Sequence, residues 1–264
     1  MVAERLFDVR GTRVVVTGAA SGLGFAMAEV LAQAGARVTL ADVDPAGLER
    51  AAGALSGDVR THVVDVAHAA QVDALIDGAA AVYGGLDVVF ANAGISLEPG
   101  FGDPGGGLVD IDDAQWRRVL AVNFDGVIAT MRAAARVMKG QGAGRIVVTA
   151  STAGLRTDPM VGYSYATAKA AVISATRQAA LELAPHGVLV NALAPGAIRT
   201  NIGGGVPPSP EIERMWADTI PLGRMGEPEE IKGLVLLLAS RASSYITGAI
   251  LPVDGGALTR SHAL

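Results

Sequence analysis

Short apolar runs alternate along the chain with longer, alanine-rich segments of helical period. The runs at 13–17, 37–41, 61–64, 86–91, 145–150, 188–192 and 249–253 predict strands. The segments at 23–34, 46–55, 69–82, 113–138, 165–184 and 228–239 predict helices. None of the strands alternates apolar with polar residues, so each is expected to be covered on both faces. Repeated strand–helix units joined by right-handed crossovers predict an α/β fold: a doubly wound, mostly parallel sheet of seven strands with helices on both faces. No linker or repeat divides the sequence, so residues 1–264 are read as one domain.

Two glycine- and proline-rich segments interrupt the rhythm, at 97–109 and 201–210. Both are either plain surface loops or ligand loops. Each follows the carboxyl end of a strand, the side on which open α/β sheets bind ligands. The second precedes a short helical stretch at 211–219, which suits a movable lid. Substrate loops are therefore expected over about 95–111, and a lid over about 200–220.

Composition narrows the function. Half of the residues are hydrophobic, 18% are charged and only 4% are aromatic, so the core must be aliphatic. With 21 basic against 26 acidic side chains the net charge is −5, which argues against a nucleic-acid surface. Cysteine is absent, and the four histidines (His62, His68, His186, His262) lack ligand spacing, so no metal site is expected. The first residues carry charge where a signal peptide would be apolar, and the longest strongly apolar stretch, 234–239, is too short to cross a bilayer. The expectation is a cytoplasmic protein with a small-molecule partner, engaging neither nucleic acid nor membrane.

Between the first strand and the first helix lies Thr17-Gly18-Ala19-Ala20-Ser21-Gly22-Leu23-Gly24. Such a turn lets backbone approach a pyrophosphate, with a helix N-terminus facing the anion. Asp42 stands at the end of the second strand, either as a helix cap or as an acceptor for both ribose hydroxyls of an adenosine. A carboxylate there repels the 2′-phosphate of NADP, and Val43 follows it where an arginine would help NADP, so the cofactor is read as NAD. Asp65 and Val66 are placed at the adenine edge, and Asn92, Ala93 and Gly94 on the path to the nicotinamide.

Tyr165 and Lys169 open a helix four residues apart, on one face. A phenol is a poor base at neutral pH, and a neighbouring ammonium favours its ionised form. Of the three lysines, Lys169 alone sits in a run of small apolar residues. Upstream, Ser151 ends the fifth strand, where its hydroxyl can donate to an oxygen held by Tyr165.

These motifs together, with Asn123, Pro195-Gly196 and the closing Asp254-Gly255-Gly256, resemble the short-chain dehydrogenase/reductase family over residues 8–258. The resemblance implies a Rossmann fold and NAD-linked hydride transfer. It further implies that Asn123 holds a water in a proton relay to Lys169, and that Lys169 also binds the nicotinamide ribose. Ile198 and Thr200 would contact the carboxamide. It also implies a homotetramer. The Ser–Tyr interval is one longer than the family's commonest spacing, which makes Thr152 a rival to Ser151. Tyr163, lacking a lysine four residues on, is read as pocket wall or plain surface.

The expected reaction moves a hydride between a secondary alcohol and nicotinamide, with Tyr165 as general acid/base. Leu155, Tyr163, Ile202, Met215 and Trp216 suggest an uncharged, fairly apolar ligand; Arg156 and Arg199 are read as surface residues. Two alternatives are a non-catalytic dinucleotide sensor and a 3-oxoacyl thioester reductase. The carrier-binding arginines of such reductases are here Ala129 and Leu181.

Overall fold

A computed structural model describes residues 5–200, 202 and 209–260. Seven strands form one parallel sheet: β1 (Arg13–Thr17), β2 (Arg37–Asp42), β3 (Val59–Val63), β4 (Val88–Ala91), β5 (Gly144–Thr149), β6 (Val188–Pro195) and β7 (Ile250–Val253). Their order is β3-β2-β1-β4-β5-β6-β7. Chain direction across the sheet reverses between β1 and β4, which places a crevice at their carboxyl ends.

Helices α1 (Gly22–Gln33), α2 (Pro45–Ala54), α3 (Ala69–Tyr83), α4 (Asp113–Leu120), α5 (Gly126–Gln141), α6 (Tyr163–Leu183), α7 (Pro210–Thr219) and α8 (Lys232–Ala239) connect and cover the strands. Val15, Val89, Ile146 and Val148 pack on one face of the sheet with residues of α3, α5 and α6. Val14, Val16, Val88, Phe90 and Val147 face the other way, against α1, α2 and α8. With both faces buried, successive strand residues all have to be apolar.

The sheet edges depart from that reading. β3 begins two residues before the predicted 61–64 and is largely exposed, because only β2 pairs with it. Its Arg60 and His62 give a polar outer strand, the usual protection of a free edge.

The predicted helix at 113–138 is not continuous. A π-helical turn, Ala121–Asp125, separates α4 from α5 and holds Asn123 fully buried. Such turns concentrate at functional sites, since the extra residue re-aims side chains without ending the helix. Of the second loop, residues 201 and 203–208 lie outside the described residues, and with them most of the glycine- and proline-rich segment expected to precede the lid helix.

Candidate active site

The carboxyl ends of the central strands open into a cleft of about 660 Å³, within the usual range for small-molecule sites. Of the residues predicted to hold the dinucleotide or to carry the reaction, all line it except Asn123.

At one end the glycine turn packs against the segment after β4. A Cβ on Gly18 would lie 2.8 Å from the Cα of Ala93, and one on Gly24 only 2.0 Å from the carbonyl oxygen of Gly18. Neither position tolerates a side chain. Ser21 precedes α1 without a side-chain cap, and no acidic residue stands in the first turn. The N-terminal amides are thus left for an external anion, so a pyrophosphate fits this cradle. Asp42 accepts from the amides of Ala20 (3.0 Å) and Asp44 (3.1 Å), which fixes its carboxylate at the cleft edge. Asp65 accepts from the amide of Ala67 and lies 3.3 Å from the Arg118 guanidinium. Burial alone would raise its carboxyl, but these partners outweigh that and hold it below the usual range. Arg118, which also lines the cleft, was hidden inside the long predicted helix.

The strand ends are stapled together. Thr17 Oγ1 accepts from the amides of Asn92 and Ala93. The Asn92 amide group donates to the Thr17 carbonyl, and its oxygen accepts from Thr149 Oγ1. Asn92 therefore bridges β1, β4 and β5 and leaves Ala93 and Gly94 to face the cleft. Asn123 acts in a similar way. Its oxygen accepts from Ile95 N and its Nδ2 donates to Ile95 O, both at 2.8 Å. Both polar atoms of this side chain thus bond to the backbone of Ile95.

At the other end stand Ser151, Tyr165 and Lys169. Ser151 opens a short 3-10 turn, Thr152–Gly154, where its hydroxyl accepts from Ala153 N. Ser151 and Thr152 both line the cleft, and both reach the Pro195 carbonyl at 3.4 Å. The Tyr165 side chain is in contact with Ser151, which favours Ser151 over Thr152. Lys169 is buried, donates to the Thr149 carbonyl at 2.7 Å, and places Nζ 5.4 Å from the Tyr165 ring centroid.

The expected lowering of the Tyr165 pKa is absent in the chain alone. Burial pushes the phenol up, with only Ser151 working against the shift. Burial also brings Lys169 down to about 8. Low polarity penalises both charged forms, and the ammonium points at Thr149 O rather than at the phenol oxygen.

Several pocket assignments change. Ile202 and Trp216 line the cleft, but Leu155, Tyr163 and Met215 do not. Leu155 and Met215 are exposed, whereas Tyr163 packs its ring 6.2 Å from that of Phe101. Arg156 is not a free surface residue; it donates to the carbonyls of Ala257 and Arg260 and pins the C-terminal segment. Arg199 pairs with Glu213 of α7 and with Glu227, so it anchors the helix beside the cleft. Sequence reading missed Ser96, Asp158, Met160, Val161 and Met225, which also line the cleft. They lie in segments without periodicity; only the Asp158-Pro159 turn pair signalled a fixed loop.

Glu98, from the loop after β4, accepts from the amide (3.1 Å) and hydroxyl (2.7 Å) of Ser164 in the first turn of α6. Glu98→Ala is expected to lower stability by about 1 kcal/mol, the usual effect of losing a helix cap. Glu98→Gln should lose less, since its amide oxygen can still accept. Thermal denaturation of the two variants checks this.

Among the described residues, no helix is long and apolar enough to cross a membrane, and no group of three or more His, Asp or Glu side chains could hold a metal ion.

A family model described as "Enoyl-(Acyl carrier protein) reductase" matches residues 18–258. Galactitol 2-dehydrogenase (L-tagatose-forming) of Cereibacter sphaeroides is 41% identical over 253 residues, covering 95% of this chain and 96% of that protein. Cis-4-hydroxycyclohexanecarboxylate dehydrogenase of Sinomonas cyclohexanicum is 42% identical over 247 residues, covering 92% and 94%. The crystal structure of a short-chain type dehydrogenase/reductase from Mycobacterium marinum superposes with a TM-score of 0.90 at 38% identity, over 98% of this chain and all of that one. With the cradle, the cleft and the Ser–Tyr–Lys cluster in place, the chain belongs to the short-chain dehydrogenase/reductase family, oxidoreductases that bind a nicotinamide dinucleotide.

Proposed function

We propose that this protein is an NAD-dependent secondary-alcohol dehydrogenase in which Tyr165 is the general acid/base. The observation that carries the reading is the convergence of Ser151, Tyr165 and Lys169 at one end of a cleft whose other end is closed by Asp42. The similarity to two dehydrogenases named for secondary alcohols supports the same reaction class.

Gly18, Ser21, Gly22, Leu23 and Gly24 would hold the pyrophosphate, Asp42 the adenosine ribose, and Asp65 and Val66 the adenine. Asn92, Ala93, Gly94, Pro195, Gly196, Ile198 and Thr200 would line the rest of the path. When bound, the nicotinamide supplies the hydride acceptor. Tyr165 takes the hydroxyl proton of the alcohol, and Ser151 donates a hydrogen bond to the same oxygen. The Lys169 ammonium adds positive potential beside the phenol and binds the nicotinamide ribose. Asn123 fixes Ile95 and with it Gly94, which lies between the Asn123 oxygen and Lys169 Nζ. No covalent intermediate is required; positioning and electrostatics lower the barrier.

The direction favoured is oxidation, as cellular NAD is mostly oxidised. A carrier-bound substrate is disfavoured: Ala129 is buried, Leu181 is exposed, and Arg132 and Arg136 of α5 already pair with Asp73 and Asp77. A homo-oligomer, most simply a tetramer, is supported by the free outer edge of β7 and the exposed Tyr245 before it.

NAD is expected to be preferred over NADP by about one to two decades in kcat/KM, given that charged hydrogen bonds contribute roughly 1.5–3 kcal/mol each. Asp42→Ala should erase most of the preference. Measuring both cofactors with both proteins checks it, and equal wild-type values would remove the NAD assignment.

A further inference from the structure

The charged side chains that line the cleft are unevenly divided. Asp42, Asp65 and Arg118 stand around the dinucleotide end, and Lys169 is buried in the floor. Among the described residues the one remaining is Asp158. It lies midway along the segment that joins Ser151 to Tyr165, so it belongs to the catalytic end.

Its setting is rigid. Asp158 Oδ1 accepts from the amide of Met160 at 2.9 Å, and its carbonyl accepts from Val161 N. The next carbonyl, that of Pro159, accepts from Gly102 N at 2.9 Å, which ties this turn to the loop after β4. Among the described residues no cation pairs with the carboxylate, and Oδ2 has no hydrogen-bond donor. The same cleft is lined by Met160, Val161, Ile202 and Trp216 and by the hydroxyl-bearing Ser96 and Thr152.

We propose that Asp158 is a specificity-determining residue that selects neutral substrates bearing a second hydroxyl and rejects anionic ones. The proposal rests on the dehydrogenase reading above and names the substrate class of that same site. One carboxylate oxygen of Asp158 accepts from Met160 N and the other has no donor from the described residues, so a substrate hydroxyl entering the cleft can supply one. A substrate carboxylate would instead bring a second negative charge beside the first, and among the described cleft residues the one arginine, Arg118, stands at the dinucleotide end. An ammonium group would satisfy Asp158 but would enter a site already carrying the charge of Lys169. Ser96 and Thr152 can each accept from, or donate to, further hydroxyls. This revises the expectation of a fairly apolar ligand: the cleft is lined by a carboxylate and hydroxyls as well as by apolar side chains.

The test uses four alcohols matched in carbon chain: hexan-2-ol, hexane-1,5-diol, 5-hydroxyhexanoate and 6-aminohexan-2-ol. Steady-state kcat/KM is measured with NAD for wild type, Asp158→Asn and Asp158→Ala. The amide of Asp158→Asn keeps an acceptor for Met160 N, so the turn is preserved while the charge is removed. In wild type the diol should exceed the hydroxy acid by at least about tenfold, the scale of one mismatched polar contact in a site. Asp158→Asn should raise the hydroxy acid by about tenfold and change hexan-2-ol by less than about threefold. Saturation-transfer NMR on the same compounds reads binding without turnover, and should show the diol bound and the hydroxy acid not.

If the hydroxy acid matches or exceeds the diol in wild type, or neither variant changes their ratio, the role of Asp158 is wrong while the dehydrogenase reading stands. Preference for the amino alcohol over the diol would likewise overturn the assignment of a hydroxyl as the recognised group. Selective binding of the diol that is lost in Asp158→Ala, with no turnover of any member, would support Asp158 and defeat the dehydrogenase reading instead.

Discussion

Tyr165→Phe is expected to lower kcat for alcohol oxidation by about 10²–10⁴-fold, the usual contribution of a positioned general acid/base. The substitution deletes one hydroxyl and keeps the ring, so cofactor affinity and thermal stability should stay near wild type. Tyr163→Phe is the internal control. It is a second tyrosine on the same first turn of α6, but it points to Phe101 and lies outside the cleft, so turnover should stay within about tenfold. The pH profile follows from the shift. Oxidation needs the deprotonated phenol, and burial raises that pKa, so oxidation in wild type should climb with rising pH. Reduction of the matching ketone needs the protonated form and should fall along the same limb. Tyr165→Phe should flatten both. Loss of turnover in Tyr163→Phe with Tyr165→Phe tolerated would place the catalytic register elsewhere and remove Ser151 with it.

Lys169→Met should move activity and stability in opposite directions. Activity should fall by a factor comparable to that of Tyr165→Phe, and NAD should bind more weakly because its ribose contact is gone. Stability should rise at neutral pH. Burial lowers the Lys169 pKa from 10.5 to about 8, which corresponds to roughly 3 kcal/mol for keeping the ammonium in the core. Loss of the bond to Thr149 O returns about 1 kcal/mol of that. The sign with pH is fixed by linkage. Below pH 8 the folded chain must hold the charge, and the penalty is present in full. Between 8 and 10.5 the folded chain releases its proton while the unfolded chain retains it, so wild-type stability gains on the variant. Above 10.5 both states are neutral and the penalty is gone. Urea unfolding of the two proteins at pH 7 and pH 10 measures it; an advantage for Lys169→Met that does not shrink at pH 10 would contradict a buried, charged Lys169.

The sheet was legible because its physics is written residue by residue. Val14, Val15 and Val16 face alternately into two cores, and only an unbroken apolar run satisfies both. The cleft residues were legible for a different reason: glycines that admit no Cβ, and a Tyr–Lys pair one helical turn apart, carry their geometry in their spacing. What escaped lacks such marks. The π turn at Asn123 leaves no trace in hydrophobic period, since α4 and α5 continue the pattern on either side. Leu155 and Met215 are apolar enough for a pocket, but nothing in their identity says that a turn and the outer side of α7 leave them exposed. Asp158 sits in a segment with no period at all. The Tyr165 pKa was misjudged because proximity to Lys169 could be read from spacing, whereas the burial of both groups could not.

The staples around β4 bear on how this protein can change over generations. Thr17, Asn92 and Asn123 bind strand ends and Ile95 through backbone groups and side chains of the sheet and its helices. None of the hydrogen bonds these side chains make reaches Asp158, Ile202 or Trp216. Substitutions at those three positions can therefore drift without disturbing the side-chain bonds that hold the reacting centre. Selection has two nearly independent dials: an engine braced by the sheet, and an adaptable mouth through which new alcohols can be recruited in few mutational steps.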